Sequence, residues 1–160
     1  MIEVEEVAPA RIFRLTAVSN KKKLFEYLAE SLANASGESF EKVLDSLTAR
    51  ERMGSTCIGD GVAIPHCKLA IDKPIGTILF LDEAIQCGNK EEFISVIFGL
   101  IIPEQQCDQH LPMLSGIAEV CRTEGWLDGL RDNKSSEELA EYIGQSQLEL
   151  SPYINEIDNT

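Results

Sequence analysis

The chain has 160 residues, 44% of them hydrophobic and 26% charged, which is typical of one globular domain and excludes a disordered chain, a collagen-like repeat and a coiled-coil rod. Acidic residues outnumber basic residues by 27 to 14, so the formal net charge is -13. Because this charge repels nucleic acid and anionic lipid, we expect neither as a direct partner.

Two further features bear on the compartment. The longest apolar run, Val96 to Ile102, is far shorter than the roughly 20 residues that span a bilayer, and the N-terminus does not resemble a secretory signal. The five cysteines, at positions 57, 67, 87, 107 and 121, contain no C-x-x-C pair, and their odd number argues against a closed disulfide framework. We therefore predict a cytoplasmic protein with free thiols, no membrane insertion, no metal and no cofactor.

The first half of the chain predicts a strand followed by two helices. Residues 1–10 are rich in acidic side chains and predict a flexible arm, whereas residues 11–18 are rich in strand-forming residues. A helix with apolar residues three and four apart should begin after an N-cap at Ser19 or Asn20 and end near Gly37.

The second helix is predicted from Phe40 onward, because apolar residues at the same spacing recur up to Leu47, and it should end near Gly54. The stretch that follows, GSTCIGDGVAIP, has three glycines and cannot form a helix. It predicts a sharp turn that leads into a short strand, Val62 to Ile64.

The second half of the chain predicts two more strands and then helices. Gly76 to Leu81 and Phe93 to Ile102 are strand-like, and the second is apolar almost throughout, as expected for a strand covered on both faces. A third helix should begin near Asp108, and a short one should cover Trp126 to Leu130. Residues 135–138 form a capping box that predicts a final helix.

This order of elements, strand, two helices, three strands and three helices, predicts a layered α/β fold. No repeat of fixed period and no long linker divides the chain, so residues 1–160 are interpreted as one domain. Residues 146–160 are predicted to form a polar tail.

The two histidines of the chain, His66 and His110, are the first candidates for catalytic residues. His66 follows Pro65 at the end of the glycine-rich stretch, and His110 lies in the first turn of the third predicted helix, so the two rings meet if the preceding strands end at one sheet edge. A hydrogen-bonded, half-buried His66 and a neutral His110 without catalytic roles remain alternatives. A nucleophilic Cys67 activated by His110 is a further alternative, whereas nucleotide-binding and hydrolase motifs are absent.

The stretch from Arg50 to His66, RERMGSTCIGDGVAIPH, resembles a known signature. The pattern R-E-x-x-G-S-T-x-I-G-x-G-[IV]-A-[IV]-P-H is that of the fructose, mannitol and nitrogen-type enzyme IIA domains of the bacterial phosphoenolpyruvate-dependent phosphotransferase system. Downstream, an apolar strand ending at Pro103 and the His110-Leu111 pair at a helix start also match. The resemblance covers roughly residues 11–145.

The resemblance implies a fold and a set of site residues. The fold is a three-layer α/β domain with a mixed sheet of about four to five strands flanked by helices. His66 is the expected phosphoacceptor, which receives a phosphoryl group from a histidine-containing phosphocarrier protein, His110 is the second active-site histidine, and Arg50 is the cation near the phosphate. Apart from the resemblance, the chemistry of phosphate recognition makes the hydroxyl groups of Ser55 and Thr56 candidate hydrogen-bond donors to the phosphoryl oxygens.

Each supporting residue also has an ordinary interpretation. Arg50 could only cap the second helix, and Ser55 and Thr56 are common turn residues. Cys67 stands where family members often have glycine, and Asp60 adds a negative charge to the turn that should meet phosphate. His110 could either donate a hydrogen bond to the phosphoryl oxygens or fix the tautomer of His66.

The function that we predict is that of a stand-alone, nitrogen-regulatory type of IIA protein. This prediction uses the fact that the sequence contains no second phosphocarrier domain, IIB module or permease. The chain would regulate nitrogen, potassium or carbon metabolism through phosphorylation-dependent binding to a target protein. Transfer to the IIB module of a separate sugar permease, and a binding module that is not phosphorylated, are the alternatives, and self-association is left open.

Overall fold

The computed structural model describes residues 3–8, 12–16, 18–87, 92–123, 125–131, 138 and 141–142. In chain order its elements are β1 Glu3–Ala8, β2 Ile12–Thr16, α1 Lys21–Ser36, α2 Phe40–Arg52, β3 Cys57–Gly59, β4 Val62–Ala63, β5 His66–Leu69, β6 Ile75–Gln86, β7 Phe93–Pro103, a 3-10 turn Glu104–Gln106, α3 Cys107–Cys121 and α4 Trp126–Arg131.

The strands form one mixed sheet, as the resemblance implies. Its order is β1-β2-β6-β7-β4-β3, and β5 pairs with β7 beyond the end of β4. The β2–β6, β4–β7 and β5–β7 pairs are parallel, whereas β1–β2, β3–β4 and β6–β7 are antiparallel. The described residues thus contain seven strands, rather than the four to five that were expected.

Strand β7 separates two apolar cores, because successive side chains point to opposite faces of a sheet. Ile97 and Ile101 belong to the core under α1 and α2, and Val96 and Phe98 belong to the core under α3 and α4. Between them, Gly99 has no side chain, and a Cβ built there would collide with Leu28 of α1. The glycine therefore allows α1 to approach the sheet closely.

The first two helices begin and end where the sequence predicted. The side chain of Asn20 accepts a hydrogen bond from the backbone amide of Lys23 at 2.9 Å, and that of Ser39 accepts one from Lys42 at 3.2 Å. Gly37 ends α1 in the left-handed conformation, with φ of 82°. These caps satisfy amide and carbonyl groups that the helices leave without internal partners.

Three differences from the prediction concern strands. The flexible arm predicted for residues 1–10 is wrong over Glu3–Ala8, which pairs with β2 as the edge strand β1. Strand β6 continues past Leu81 to Gln86 through exposed acidic residues, with an irregular register between Phe80 and Ile85. Strands β3 and β5 were not predicted, because they have too few residues for the alternation of apolar and polar side chains to be recognised.

The second half of the chain follows the prediction with small shifts. Helix α3 begins at Cys107, directly after the 3-10 turn, and α4 covers Trp126–Arg131. The predicted final helix lies mostly outside the described residues, and the predicted tail, 146–160, lies entirely outside them. In the part of the chain that is described, no helix has the length and apolar character that crossing a membrane requires.

Candidate functional site

The glycine-rich stretch between α2 and β5 folds into the β3–β4 hairpin. Asp60 and Gly61 form its two-residue turn with φ of 56° and 81°, the positive values that a tight hairpin of this kind requires. The backbone carbonyl of Asp60 accepts a hydrogen bond from Nη2 of Arg131 at 2.6 Å, so α4 holds the tip of the hairpin. The side chain of Asp60 is exposed.

His66 is the first residue of β5 and lies opposite Leu100 of β7. Because Cys67 and Leu69 point into the core under α1 and α2, alternation along the strand directs the half-buried His66 to the other face of the sheet. Leu100 belongs to the apolar core on that face, which α3 and α4 cover.

One hydrogen bond defines which nitrogen of His66 is available. Nδ1 lies 2.8 Å from the carbonyl oxygen of Ile64. Since a carbonyl oxygen can only accept, Nδ1 of the neutral ring carries the hydrogen and donates it, and the lone pair is on Nε2. The backbone therefore sets the tautomer in which Nε2 carries the lone pair.

The surroundings of His66 favour its neutral form. Burial lowers the pKa of the imidazole below 6.5, and the positive charges of Arg50 and Lys68 lower it further, against the opposing effects of the Ile64 hydrogen bond and Glu51. Burial and neighbouring cations both penalise a protonated ring. At neutral pH the ring is thus mostly uncharged.

Arg50, in the last turn of α2, has the ordinary role that was considered for it and acts on His66 as well. Its Nη1 donates to the carbonyl oxygen of Gly54 at 3.0 Å, which stabilises the C-terminal end of the helix. A guanidinium has five N–H donors, so this bond leaves others available for an anion.

Thr56 does not have the role that was predicted for it. Its hydroxyl donates to Glu51 Oε1 at 2.7 Å, its amide donates to Glu51 Oε2 at 3.2 Å, and its side chain is buried. The single hydroxyl hydrogen is therefore engaged and is not available to a phosphate. Thr56 fixes the turn after α2 instead.

Glu51, which accepts both hydrogen bonds from Thr56, also contacts Lys21, and neither Glu51 nor Lys21 was predicted as a site residue. Nζ of Lys21, at the start of α1, lies 2.6 Å from Glu51 Oε2. Burial alone would raise the pKa of Glu51, but the hydrogen bonds from Lys21 and Thr56 outweigh it, so the pKa is lowered and the carboxylate stays ionised. Glu51 stands inside the recognised signature, whereas nothing in the sequence pairs it with Lys21.

The role predicted for the Ser55 hydroxyl, a hydrogen bond to phosphate, stays a prediction. The residue is exposed, and its Oγ accepts a hydrogen bond from the amide of Cys57 at 3.2 Å. Its own hydrogen can be donated to Sγ of Cys87, which lies 3.8 Å from Oγ and, being in a disulfide, carries no hydrogen itself. Because sulfur is a weak acceptor, the hydroxyl can turn toward an incoming oxyanion.

Backbone hydrogen bonds connect this turn to the histidine. The carbonyl oxygen of Thr56 accepts from the amide of Ile64 at 3.0 Å, and the carbonyl oxygen of Ile64 accepts from the ring of His66. The position of the imidazole thus depends on the position of the turn that follows α2.

The prediction that the cysteines are free thiols is wrong for two of them. Cys57 and Cys87, 30 positions apart in the sequence, form a disulfide with an S–S distance of 1.99 Å. Cys67 and Cys121 are free and buried, and the side chain of Cys107 lies outside the described part of the structure. The fold brings the pair together, and cysteine spacing alone cannot show this.

Cys67 lacks the properties of a nucleophile. Burial raises the pKa of its thiol to about 11, although a hydrogen bond with Ser46 acts in the opposite direction. A thiol with this pKa stays protonated at neutral pH and reacts poorly. Its side chain also points to the opposite face of the sheet from His66, so cysteine in place of glycine does not crowd the ring.

Lys68 is a site residue that the prediction missed. It stands two positions after His66 on the same strand, so both side chains lie on one face of the sheet. The residue is exposed, and its charge acts on the imidazole. The alternation of β5 would have identified Lys68, had the strand been recognised.

His110 lies in the first turn of α3, as predicted. Its side chain is outside the described part of the structure, so its proximity to His66 stays a prediction. Among the residues that are described, no group of three or more His, Cys, Asp or Glu side chains could hold a metal ion.

Comparison with known proteins agrees with the resemblance seen in the sequence. A protein-family model described as "Phosphoenolpyruvate-dependent sugar phosphotransferase system, EIIA 2" matches residues 7–146. A nitrogen regulatory protein of Pseudomonas aeruginosa is 31% identical over 147 residues, which cover 89% of this chain and 96% of that protein.

Solved structures give the same result. The nitrogen regulatory protein IIA-Ntr of Neisseria meningitidis matches with a TM-score of 0.76 and 32% identity, covering 83% of this chain and 92% of that one. The mannitol enzyme IIA of Escherichia coli, in complex with phosphorylated enzyme IIB, matches with a TM-score of 0.65 and 16% identity, covering 79% and 89%. The second likeness shows a common fold. With most of its length matched, the chain belongs to the EIIA 2 family of the phosphoenolpyruvate-dependent sugar phosphotransferase system.

Proposed function

We propose that His66 accepts a phosphoryl group on Nε2 from a histidine-containing phosphocarrier protein in the cytoplasm. The phosphocarrier or regulatory role in general follows from the family. The observation that supports this specific step is the half-buried, neutral imidazole whose Nδ1 is held by the carbonyl of Ile64. Such a ring presents one defined nitrogen to a docking donor without the help of a base.

The transfer exchanges one nitrogen–phosphorus bond for another. The lone pair of Nε2 forms a bond to phosphorus while the bond to the donor's histidine breaks, and the donor ring recovers its electron pair. As the new bond forms, positive charge develops on the ring of His66. The hydrogen bond from Nδ1 to the carbonyl oxygen of Ile64 stabilises this charge.

The positive groups beside His66 stabilise the group in transfer. Negative charge spreads over three phosphoryl oxygens during the reaction. Arg50 and Lys68 supply cations that already act on the imidazole, and the exposed hydroxyl of Ser55 is a third donor. These groups matter because the chain as a whole is strongly acidic, with a net charge of -13.

His110 has one remaining role in this scheme. Since the carbonyl of Ile64 already holds Nδ1 of His66, tautomer control does not require a second histidine. We therefore assign His110 to the transfer state, where its ring would donate a hydrogen bond to a phosphoryl oxygen. Its place in the first turn of α3, on the face of the sheet to which His66 points, is compatible with this role.

Phosphorylation would switch the binding of a target protein. Relatives named nitrogen regulatory protein or its homolog, two of them 31% and 32% identical, support a role in nitrogen regulation, and our proposal extends this role to potassium or carbon metabolism. A group that carries nearly two negative charges changes affinity through repulsion and desolvation. The downstream partner is thus a regulatory target protein.

Transfer to a IIB module of a sugar permease is the second candidate. It is favoured by the Escherichia coli complex, in which a IIA protein of the same fold is bound to phosphorylated IIB. The two candidates share the chemistry at His66 and differ in the acceptor. If the phosphorylated chain passes its phosphoryl group to a purified IIB protein, this result would favour a role in sugar transport.

Mass spectrometry tests the proposal directly. Purified chain mixed with phosphoenolpyruvate and the upstream phosphocarriers should gain about 80 Da, one phosphoryl group. The His66→Ala variant should gain nothing while its circular dichroism stays that of the wild type. If the wild type also fails to gain mass with an active donor, the chain is a binding module that is not phosphorylated, and the proposal is wrong.

A further inference from the structure

The Cys57–Cys87 disulfide connects two strands that are not neighbours in the sheet. Cys57 begins β3, and Cys87 directly follows β6. Strands β7 and β4 lie between β6 and β3 in the sheet order, whereas both cysteines pack against the core under α1 and α2. The bond therefore ties the end of β6 directly to β3 of the candidate-site hairpin, two strands that backbone pairing connects only through β7 and β4.

A short series of hydrogen bonds leads from this bond to the phosphoacceptor. Ser55 accepts from the amide of Cys57, and its Oγ lies 3.8 Å from Sγ of Cys87. The next residue, Thr56, binds the amide of Ile64 through its carbonyl oxygen. Ile64 in turn holds Nδ1 of His66. A movement of Cys57 thus changes the position of both Ser55 and the imidazole.

The two sulfur atoms differ in exposure. Cys57 is half-buried in the edge strand β3, whereas the side chain of Cys87 is buried. A thiolate from outside can therefore approach Sγ of Cys57 more readily, with Cys87 as the leaving thiolate. The free thiols Cys67 and Cys121 are buried and have pKa values near 11, so neither is a suitable attacking group within the chain.

A domain of this size is expected to form its core without a disulfide. The chain has two apolar clusters, one on each face of the sheet. In reducing compartments, disulfides are usually transient and take part in catalysis or redox sensing. The position of this bond, beside the phosphate-binding turn, fits that use.

We propose that the Cys57–Cys87 pair is a site of reversible thiol–disulfide exchange that controls phosphoryl acceptance at His66; this inference rests on the proposed function. The co-reactant is a dithiol, small or protein-borne. Its two sulfurs lose two electrons and form a disulfide, while the S–S bond of the chain breaks and becomes two thiols. The oxidised chain holds the turn in place for transfer, and the reduced chain releases it.

The test compares the oxidised and the dithiothreitol-reduced chain with the same purified, phosphorylated donor. Reduction should slow phosphoryl acceptance by about fivefold or more, the usual lower range for coupling between two sites. Cys57→Ser and Cys87→Ser should show the slow rate in both conditions, whereas Cys121→Ser should keep the difference. Because Cys57→Ser no longer responds to the reductant, it also reports any effect of dithiothreitol on the donor.

Four outcomes overturn the inference. Equal rates for the oxidised and reduced chains remove the coupling, and a bond that dithiothreitol does not reduce in the folded chain removes the exchange. Loss of the circular dichroism signal on reduction would make the disulfide a structural crosslink. Failure of both forms to accept a phosphoryl group, with an active donor, would instead remove the proposed function itself and the inference with it.

Discussion

The layer formed by α1 and α2 and the turn between α2 and β5 are held in place in different ways. The helices are fixed by local caps at Asn20, Gly37 and Ser39 and by apolar side chains. The turn is held in addition by polar and covalent links to residues that are distant in the sequence. Glu51 binds Lys21, Cys57 is bonded to Cys87, and Asp60 accepts a hydrogen bond from Arg131. Substitutions in the helices should therefore mainly lower the free energy of unfolding, whereas substitutions around the turn should mainly lower the rate of phosphoryl acceptance.

The largest effect on stability is expected in the helical layer. Leu28→Ala removes a fully buried side chain that packs over Gly99, and the free energy of unfolding should fall by about 2 to 5 kcal/mol. Urea denaturation measures this change. Glu30→Ala, at an exposed position of the same helix, should shift it by less than about 0.5 kcal/mol. Equal effects from the two variants would show that this layer is not the stable part of the fold.

A smaller loss is expected when the turn loses its anchor. Thr56→Val removes the hydroxyl that donates to Glu51, which should lower the free energy of unfolding by about 2 kcal/mol because the acceptor is charged. Phosphoryl acceptance should fall as well, since Thr56 also positions Ile64. Thr48→Val, at a half-buried position in α2, is the matched control. An unchanged rate of phosphoryl acceptance in the Thr56 variant would show that the position of the turn does not affect the reaction at His66.

Lys68 offers a change that should affect chemistry without affecting stability. Lys68→Gln should slow phosphoryl acceptance roughly tenfold, because one of the cations beside the phosphoryl group is lost. The melting temperature should not change, since the side chain is exposed. Lys68→Arg should keep most of the rate, and Lys73→Gln, which changes another exposed lysine, should keep all of it. A Lys68→Gln variant as fast as the wild type would remove this residue from the site.

The smallest effect that we expect is that of pH on the rate of phosphoryl acceptance near neutrality. The folded chain has a lowered pKa at His66, so the neutral ring predominates above pH 6.5 and phosphoryl acceptance should be nearly constant there. The sign for stability follows from the same shift. The unfolded chain binds the proton more tightly, so the contribution of His66 to stability is present above pH 6.5 and is lost as the pH falls through the lower, folded pKa.

An NMR titration of the His66 ring measures this pKa directly. A midpoint below 6.5 is expected for the wild type. Removing the charge of Arg50 or of Lys68 should move the midpoint upward, because each cation lowers the pKa. A midpoint above 6.5 in the wild type would mean that the ring is not desolvated as the structure indicates.

Most of the fold could be predicted from the sequence because its signals are local. The caps of α1 and α2, the glycine at the end of α1 and the apolar run of β7 each act within a few residues. Strand β1 could not be predicted, because its acidic residues resemble a solvated arm and its backbone hydrogen bonds come from β2. Strands β3 and β5 could not be predicted either, because they are too short to show alternating apolar and polar residues.

The candidate site could be predicted only in part. The signature identified His66 and Arg50, but the hydroxyl of Thr56 and that of the neighbouring Ser55 look alike in the sequence. Only the structure shows that the first donates to Glu51 while the second is exposed. The Cys57–Cys87 bond joins residues 30 positions apart, and no spacing rule for cysteines predicts such a pair.

The hydrogen bond between His66 and Ile64 has a consequence for the chemical form of the phosphorylated chain. Because the acceptor is a peptide carbonyl, no substitution of a side chain at position 64 removes it, and the choice of nitrogen is insensitive to point mutation there. Under the proposed function the product is the tele isomer of phosphohistidine. An antibody specific for that isomer should recognise the modified chain, and one specific for the pros isomer should not.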